Sequence, residues 1–310
     1  MTAPAIRTSA LTRTFGSHRG IRDVELEVAP GEVFGFLGPN GAGKSTTIRI
    51  LMGLIRPTSG TAQVLGGHPQ RDGVAVRSRV GYLPGDLALH PRTTGRELLE
   101  RFGHVRGLRD TRYRDELVER FGADLDRNTQ SLSKGNRQKL GIVLAFMHQP
   151  ELLVLDEPTS GLDPLLQNEF ARLLEETAQD GRTVFLSSHD LDEVQRVAHR
   201  VAIIREGRVV VTDTVDGLRS HAPRTIELQL EGGVEDAVRS LSEVDGVETE
   251  TVGPHRLRLT VNGPVAPVLR AVAPLDPVDL TARPADLDEL FLGYYRNESG
   301  QQEKETSHAR

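Results

Sequence analysis

The stretch Gly38-Pro39-Asn40-Gly41-Ala42-Gly43-Lys44-Ser45 constrains this chain more than any other. It follows an apolar run over 32–37 that reads as a strand. It precedes apolar positions at Ile48, Ile50, Leu51 and Leu54 that read as a helix starting near Gly43 and stopped by Arg56-Pro57-Thr58-Ser59-Gly60. Three glycines between strand and helix let successive backbone N–H groups converge on one point, and the helix N-terminus adds positive partial charge there. Strand, loop and helix in that order fit a phosphate-binding loop. Its expected contacts are Gly38, Asn40, Gly41, Ala42, Gly43 and Thr46 around the phosphates, Lys44 on the β- and γ-phosphates, and Ser45 on Mg²⁺. Lysine occurs only at Lys44, Lys134, Lys139 and Lys304 in a chain whose other basic residues are all arginine. A lysine kept inside this loop points to a need for a compact ammonium.

A second apolar run, Leu152-Leu153-Val154-Leu155, ends in Asp156-Glu157. A buried strand of this kind delivers two carboxylates to the sheet edge where ligands bind. Asp156 suits a Mg²⁺ contact through water, and Glu157 suits a base that polarises an attacking water.

Around these motifs, strands are expected at 4–13, 22–28, 61–65, 79–83, 183–187, 200–204 and 208–212. Helices are expected at 94–121 with a break near Gly107, and at 134–148, 164–179 and 190–197. Strands alternating with helices imply a largely parallel sheet. After Ser220-His221-Ala222-Pro223 the order becomes βαββαβ, a ferredoxin-like split unit, with strands at 225–230, 247–251, 256–261 and 277–281 and helices at 234–242 and 265–272. A last helix is expected at 285–295 and a disordered polar tail over 297–310. The expected division is 1–220, 221–296 and the tail 297–310. Residues 222–310 hold 16 Asp plus Glu against 9 Lys plus Arg, so this part is distinctly acidic.

Leu132-Ser133-Lys134-Gly135-Asn136, Ser160-Gly161-Leu162-Asp163 and His189 complete an ordered set. Over about residues 4–215 the chain resembles the ATP-binding subunits of ABC transporters, of the daunorubicin-resistance exporter type. The resemblance implies an α/β core of the P-loop NTPase class, an antiparallel β subdomain and a helical subdomain, beside the small C-terminal α+β domain. It implies ATP and Mg²⁺ as ligands and a head-to-tail pair of copies sandwiching two ATP molecules. In that arrangement Phe15 stacks on adenine, Ser133 and Gly135 bind the γ-phosphate from the partner copy, His189 contacts the γ-phosphate, and Asp163 couples the two sites. A membrane permease is the other implied partner, which places the chain at the cytoplasmic face of the cell membrane. Hydrophobic antibiotics, drugs or lipids are the implied cargo.

Two departures stand out. Lys134 occupies a position where the family commonly has glycine, and brings a positive charge near the partner's phosphates. After Leu83-Pro84 the family usually places glutamine or glutamate, but Gly85 and Asp86 stand here, and no glutamine occurs between Gln70 and Gln130. Asp86 is the candidate substitute as a Mg²⁺ contact.

Composition narrows the field. A net charge of −6 argues against a dedicated nucleic-acid binder. The absence of cysteine excludes disulfide and thiolate chemistry. No apolar run approaches the ~20 residues that span a bilayer. Two other readings stay open: a non-transport ABC ATPase acting on ribosomes, DNA or iron–sulfur assembly, and a regulatory cassette that binds ATP with little hydrolysis.

Overall fold

The computed structural model describes residues 3–16, 18–221 and 223–283, which fall into two units divided between Asp213 and Thr214. In the first unit, β1 (Ile6–Phe15), β2 (His18–Val28), β3 (Val33–Leu37), α1 (Lys44–Leu51), β4 (Ser59–Val64), α2 (Gly73–Ser78) and β5 (Val80–Leu83) come first. They are followed by α3 (Gly95–Val105), α4 (Arg112–Phe121), α5 (Lys134–Phe146), β6 (Leu152–Asp156), α6 (Pro164–Gln179), β7 (Thr183–Ser188), α7 (Leu191–Gln195), β8 (Arg200–Arg205) and β9 (Arg208–Thr214).

A six-stranded sheet runs in the order β5-β6-β7-β3-β8-β9, with the pairs from β5 through β8 all parallel. Every residue of β3 and of β6 is buried. That is the expected state of a parallel strand covered on both faces, and it explains their uninterrupted apolar sequences. The antiparallel sheet β2-β1-β4 forms a second layer, and its inward residues Ile6, Leu11, Val24 and Leu26 share one apolar core with Phe34, Phe36, Ile48 and Phe185. In that core the Phe185 ring stacks on Phe34 at 5.9 Å between centroids and meets Phe36 at 5.4 Å.

The second unit contains α8 (Val215–His221), β10 (Arg224–Gln229), α9 (Glu235–Leu241), β11 (Val247–Gly253), β12 (Arg256–Val261), α10 (Val265–Val272) and β13 (Asp279–Arg283). Its sheet order, β11-β12-β10-β13, is fully antiparallel and is that of a ferredoxin-like unit. Ile226, Leu228, Leu257, Leu259 and Val261 alternate along β10 and β12. They pack with Ala237 and Leu241 of α9 and Val268 and Val272 of α10 in a core of their own.

The expected break near Gly107 is real: Gly107 takes a left-handed φ of +67° between α3 and α4. Two short helices, α2 and α8, were absent from the sequence reading. At 6 and 7 residues they are too short for an amphipathic period to show, and each carries a glycine. The expected helix 285–295 and tail 297–310 lie outside the described residues.

Two outcomes follow from this packing. Phe185→Ala should cost about 3–5 kcal/mol of stability, measured by chemical denaturation, because it opens a cavity beside the Phe34 and Phe36 rings. His148, just after α5, has both ring nitrogens buried and makes no well-aligned hydrogen bond among the described residues, with only a weak opposing contact to the Val80 backbone. Burial, helped by the nearby Arg106 guanidinium, lowers its pKa from 6.5 to about 4. The folded protein therefore keeps His148 neutral where the unfolded chain binds a proton. This contribution is intact above pH 6.5 and is lost as pH falls towards 4, by up to roughly 3 kcal/mol. His148→Gln should flatten the stability–pH curve in that window.

Candidate active site

The loop joining β3 to α1 needs its glycines. Gly41 and Gly43 have φ of +82° and +112°, in the left-handed region. A Cβ on Gly38 would lie 2.3 Å from the Ile204 carbonyl oxygen of β8, so only glycine lets the loop start so close to that strand. Gly43 occupies the N-cap of α1 and offers no side-chain cap, and no acidic residue stands in the first turn. The first N–H groups of α1 thus remain available to an anion, with the helix dipole behind them.

A cleft of about 250 Å³ opens over this loop, lined by Phe15, Gly20, Pro39, Asn40, Gly41, Gly43, Lys44, Ser45, Thr46 and Glu157. Gly38 and Ala42 support the loop rather than line the cleft. The Gly38 carbonyl accepts from Lys44 Nζ at 2.5 Å, and the Ala42 carbonyl accepts from the Gly207 N–H at 2.9 Å. Phe15 is 41% exposed, as a stacking platform must be and a core phenylalanine would not. The Arg13 guanidinium lies over its ring, 4.8 Å from the centroid. Gly20 was not anticipated. A Cβ there would meet the Arg13 carbonyl at 2.3 Å and the Phe15 ring at 3.0 Å, so its lack of a side chain clears the Phe15 edge of the cleft.

β6 brings in the acidic pair. Asp156 is 5% exposed, and its Oδ1 accepts a hydrogen bond from Ser187 Oγ at 2.5 Å. Glu157 follows with φ of +50°, a left-handed conformation that is costly for a residue with a Cβ. Its N–H donates to the Ser187 carbonyl at 3.1 Å, which anchors the turn. One carboxylate oxygen, Oε1, is 3.1 Å from Lys44 Nζ, and the other, Oε2, is 2.7 Å from His189 Nδ1. Oε1 is buried and makes no well-aligned hydrogen bond among the described residues, so the Lys44 ammonium is its counter-charge. Loop lysine, strand glutamate and histidine thus form one chain of contacts at the mouth of the cleft.

Comparison with known proteins agrees with this geometry. Residues 21–160 match the family described as "ABC transporter". The bacitracin transport ATP-binding protein BcrA of Bacillus licheniformis is 37% identical over 230 residues, covering 73% of this chain and 74% of the relative. The daunorubicin resistance ATP-binding protein DrrA3 of Streptomyces coeruleorubidus is 36% identical over 308 residues, covering 94% and 96%. The chain belongs to the ABC transporter family. Among solved structures, an ATP-binding subunit of an ABC transporter superposes with a TM-score of 0.65 at 30% identity, over 69% of this chain and 92% of the other. The protein is thus an ABC-type ATPase with an additional ferredoxin-like unit.

The remaining residues of the ABC set lie away from the cleft lining. Ser133 is the N-cap of α5, its hydroxyl accepting from the Asn136 N–H at 3.2 Å. A Cβ on Gly135 would lie 2.8 Å from the Gly161 carbonyl oxygen, so the segment 132–136 packs backbone to backbone on the segment after Glu157. Asp163 is the N-cap of α6, accepting from the Leu166 N–H at 3.0 Å. Asp86 is exposed and outside the cleft lining, whereas a Cβ on Gly85 would sit 3.2 Å from Asp156 Oδ2. Sequence reasoning also missed Gln138 and Glu193. Gln138 donates to the Pro158 carbonyl at 2.6 Å, and Glu193 accepts from Thr159 Oγ1 at 2.7 Å and Ser188 Oγ at 3.0 Å. Their polar character on otherwise amphipathic helices was the only signal.

Glu157→Gln keeps the shape of the side chain and removes the base. Steady-state ATP turnover should fall by about 10²–10⁴-fold while nucleotide binding, followed by a fluorescent ATP analogue, is retained.

Proposed function

We propose that this chain hydrolyses ATP in two composite sites formed by a head-to-tail pair of copies, and so powers export of a hydrophobic compound through a separate membrane permease. The observation that carries this reading is the division of the site. Phe15, the phosphate loop and Glu157 line one cleft, with His189 on the Glu157 carboxylate, while Ser133, Gly135 and Asp163 stand outside that lining, where a second copy could use them. The similarity to antibiotic-transport and antibiotic-resistance ATP-binding proteins supports the cargo class and the export direction. No helix among the described residues is long and apolar enough to cross a membrane. In this reading the chain sits at the cytoplasmic face of the membrane, held by that permease.

The residues suggest an order of events. Lys44 is held by the Gly38 carbonyl and by Glu157. Phosphate oxygens entering the loop compete for the ammonium and draw it off Glu157 Oε1. Glu157 is then free to accept a proton from, or orient, the attacking water, with His189 steadying Oε2. Two copies closing on ATP bring Ser133 and the α5 N-terminus to the γ-phosphate, so that ATP favours the closed pair, and this preference drives the permease.

The donors present fit Mg²⁺. Ser45 offers a hydroxyl and Asp156 a carboxylate, and a small hard cation that keeps waters and phosphate oxygens needs few protein ligands. Among the described residues no cluster of three or more His, Asp or Glu could bind a metal without such help. Bound there, Mg²⁺ neutralises charge on the β- and γ-phosphates. Gly85 brings no polar side chain to Asp156 Oδ2, from which even a Cβ there would be only 3.2 Å, whereas the family usually has a longer polar residue after Leu83-Pro84, and this favours weak hydrolysis as a second reading. Turnover that Glu157→Gln abolishes excludes that alternative.

The deciding experiment is capture from the native host. Glu157→Gln, held closed with ATP and recovered from solubilised membranes, should bring a polytopic permease with it. Soluble partners alone, with no membrane protein enriched above a Lys44→Ala control, would overturn the transport reading.

A further inference from the structure

Lys134 is exposed, yet its ammonium ends on this chain's own Ser160. Its Nζ donates to Ser160 Oγ at 2.7 Å, and its stem lies over Gly161, with Cγ and Cδ 3.3 Å from where a Cβ on that glycine would be. Gly161 has a φ of +85°, so the backbone there already favours glycine, and any side chain would also strike the lysine stem. One residue on, Gly135 packs against the Gly161 carbonyl. One turn further, the buried Gln138 donates to the Pro158 carbonyl at 2.6 Å, with the Glu157 carbonyl at 3.4 Å. Positions 134, 135 and 138 lie on one side of α5. That side therefore grips the segment 157–161 at its start, near its middle and at its end.

We infer that Lys134 is a positioning residue that fastens the first turn of α5 to the segment following Glu157, so that the two move as one body. This inference rests on the composite-site reading above. There, Ser133 and Gly135 touch ATP in one site while Glu157 of the same chain serves the other. A rigid link between them passes engagement of one ATP to the base acting on the other. Gly135 and Gln138 supply the buried part of the link. Lys134 supplies its exposed, charge-assisted end, which a glycine at that position could not provide.

The competing use for Lys134 is direct attraction to the partner's phosphates, and the two predict different behaviour. The test is a double-mutant cycle on the full-length chain with Lys134→Met, which keeps the stem and loses the ammonium, and Ser160→Ala, which loses its acceptor. Steady-state ATPase is measured against ATP concentration. ATP-dependent pairing is measured for each variant in a Glu157→Gln background. The link predicts that both single variants and the double variant share one phenotype. Turnover falls about 3–10-fold, the Hill coefficient drops towards unity, and ATP-dependent pairing is unchanged. Additive effects, or an unaltered Hill coefficient in Lys134→Met, would overturn the link. Weakened pairing in Lys134→Met but not in Ser160→Ala would assign the ammonium to the partner's phosphates instead. Failure of the unmodified chain to pair with ATP or to show cooperative hydrolysis would count against the composite-site reading itself. Retained binding of a fluorescent ATP analogue confirms that each variant is folded.

Discussion

The contact between Lys44 and Glu157 is the interaction on which the rest of the site depends. The two residues come from different strand ends: Lys44 follows β3 and Glu157 follows β6, with β7 lying between those strands in the sheet. An ammonium 5% exposed and a carboxylate 21% exposed could not be held near one another in a loose loop. What holds them is rigid backbone. The phosphate loop is fixed by its glycines against β8, and Glu157 is held in a left-handed turn by its bond to the Ser187 carbonyl. The parallel sheet exists, in functional terms, to fix two strand ends to within a hydrogen-bond length. The strain at Glu157 is the local cost of aiming its carboxylate back over the loop.

Most of this was legible from sequence because parallel strands buried on both faces leave continuous apolar runs, and because loops that touch phosphate need glycine at set positions. The runs 32–37 and 152–155 located β3 and β6, and the motif residues placed the cleft. What stayed hidden had no periodicity or depended on tertiary contact. The helices α2 and α8 are too short to show a face. Gly20 matters only because β1 brings the Phe15 ring against it. Gln138 and Glu193 are ordinary helix residues until folding sets them beside the segment 157–159. Tertiary partners, not local preference, define such positions.

The ferredoxin-like unit shows a division of labour between the faces of one sheet. Its inward face is aliphatic and closed by α9 and α10. On the opposite face, Arg258 bridges Glu227 on β10 and Glu250 on β11 across three strands. Those ion pairs are substantially exposed and stabilise little individually. Their consequence is chemical: a face of paired charges stays wet, whereas an aliphatic face would seek cover. Glu227 and Glu250 are thus held on a solvated sheet face by one arginine between them.

The arginine bias of the chain gives its few lysines meaning. Lys44 approaches the Gly38 carbonyl, the Pro39 carbonyl and Glu157 from a single nitrogen. Lys134 lies flat on a glycine and ends on a hydroxyl. Both sites require a point charge on a thin stem, with donors that rotate to wherever the oxygens are. A guanidinium is wider and its five donors are fixed in a plane, so at Lys44 it would reach the same oxygens only by displacing the loop backbone. Elsewhere in the chain, where the partner is an exposed carboxylate, arginine does the pairing, as at Arg79 with Glu151 and Arg120 with Glu176. Arginine meets backbone too, as Arg106 does at the Arg77 and Val80 carbonyls, so what sets Lys44 apart is that three oxygens converge on one nitrogen.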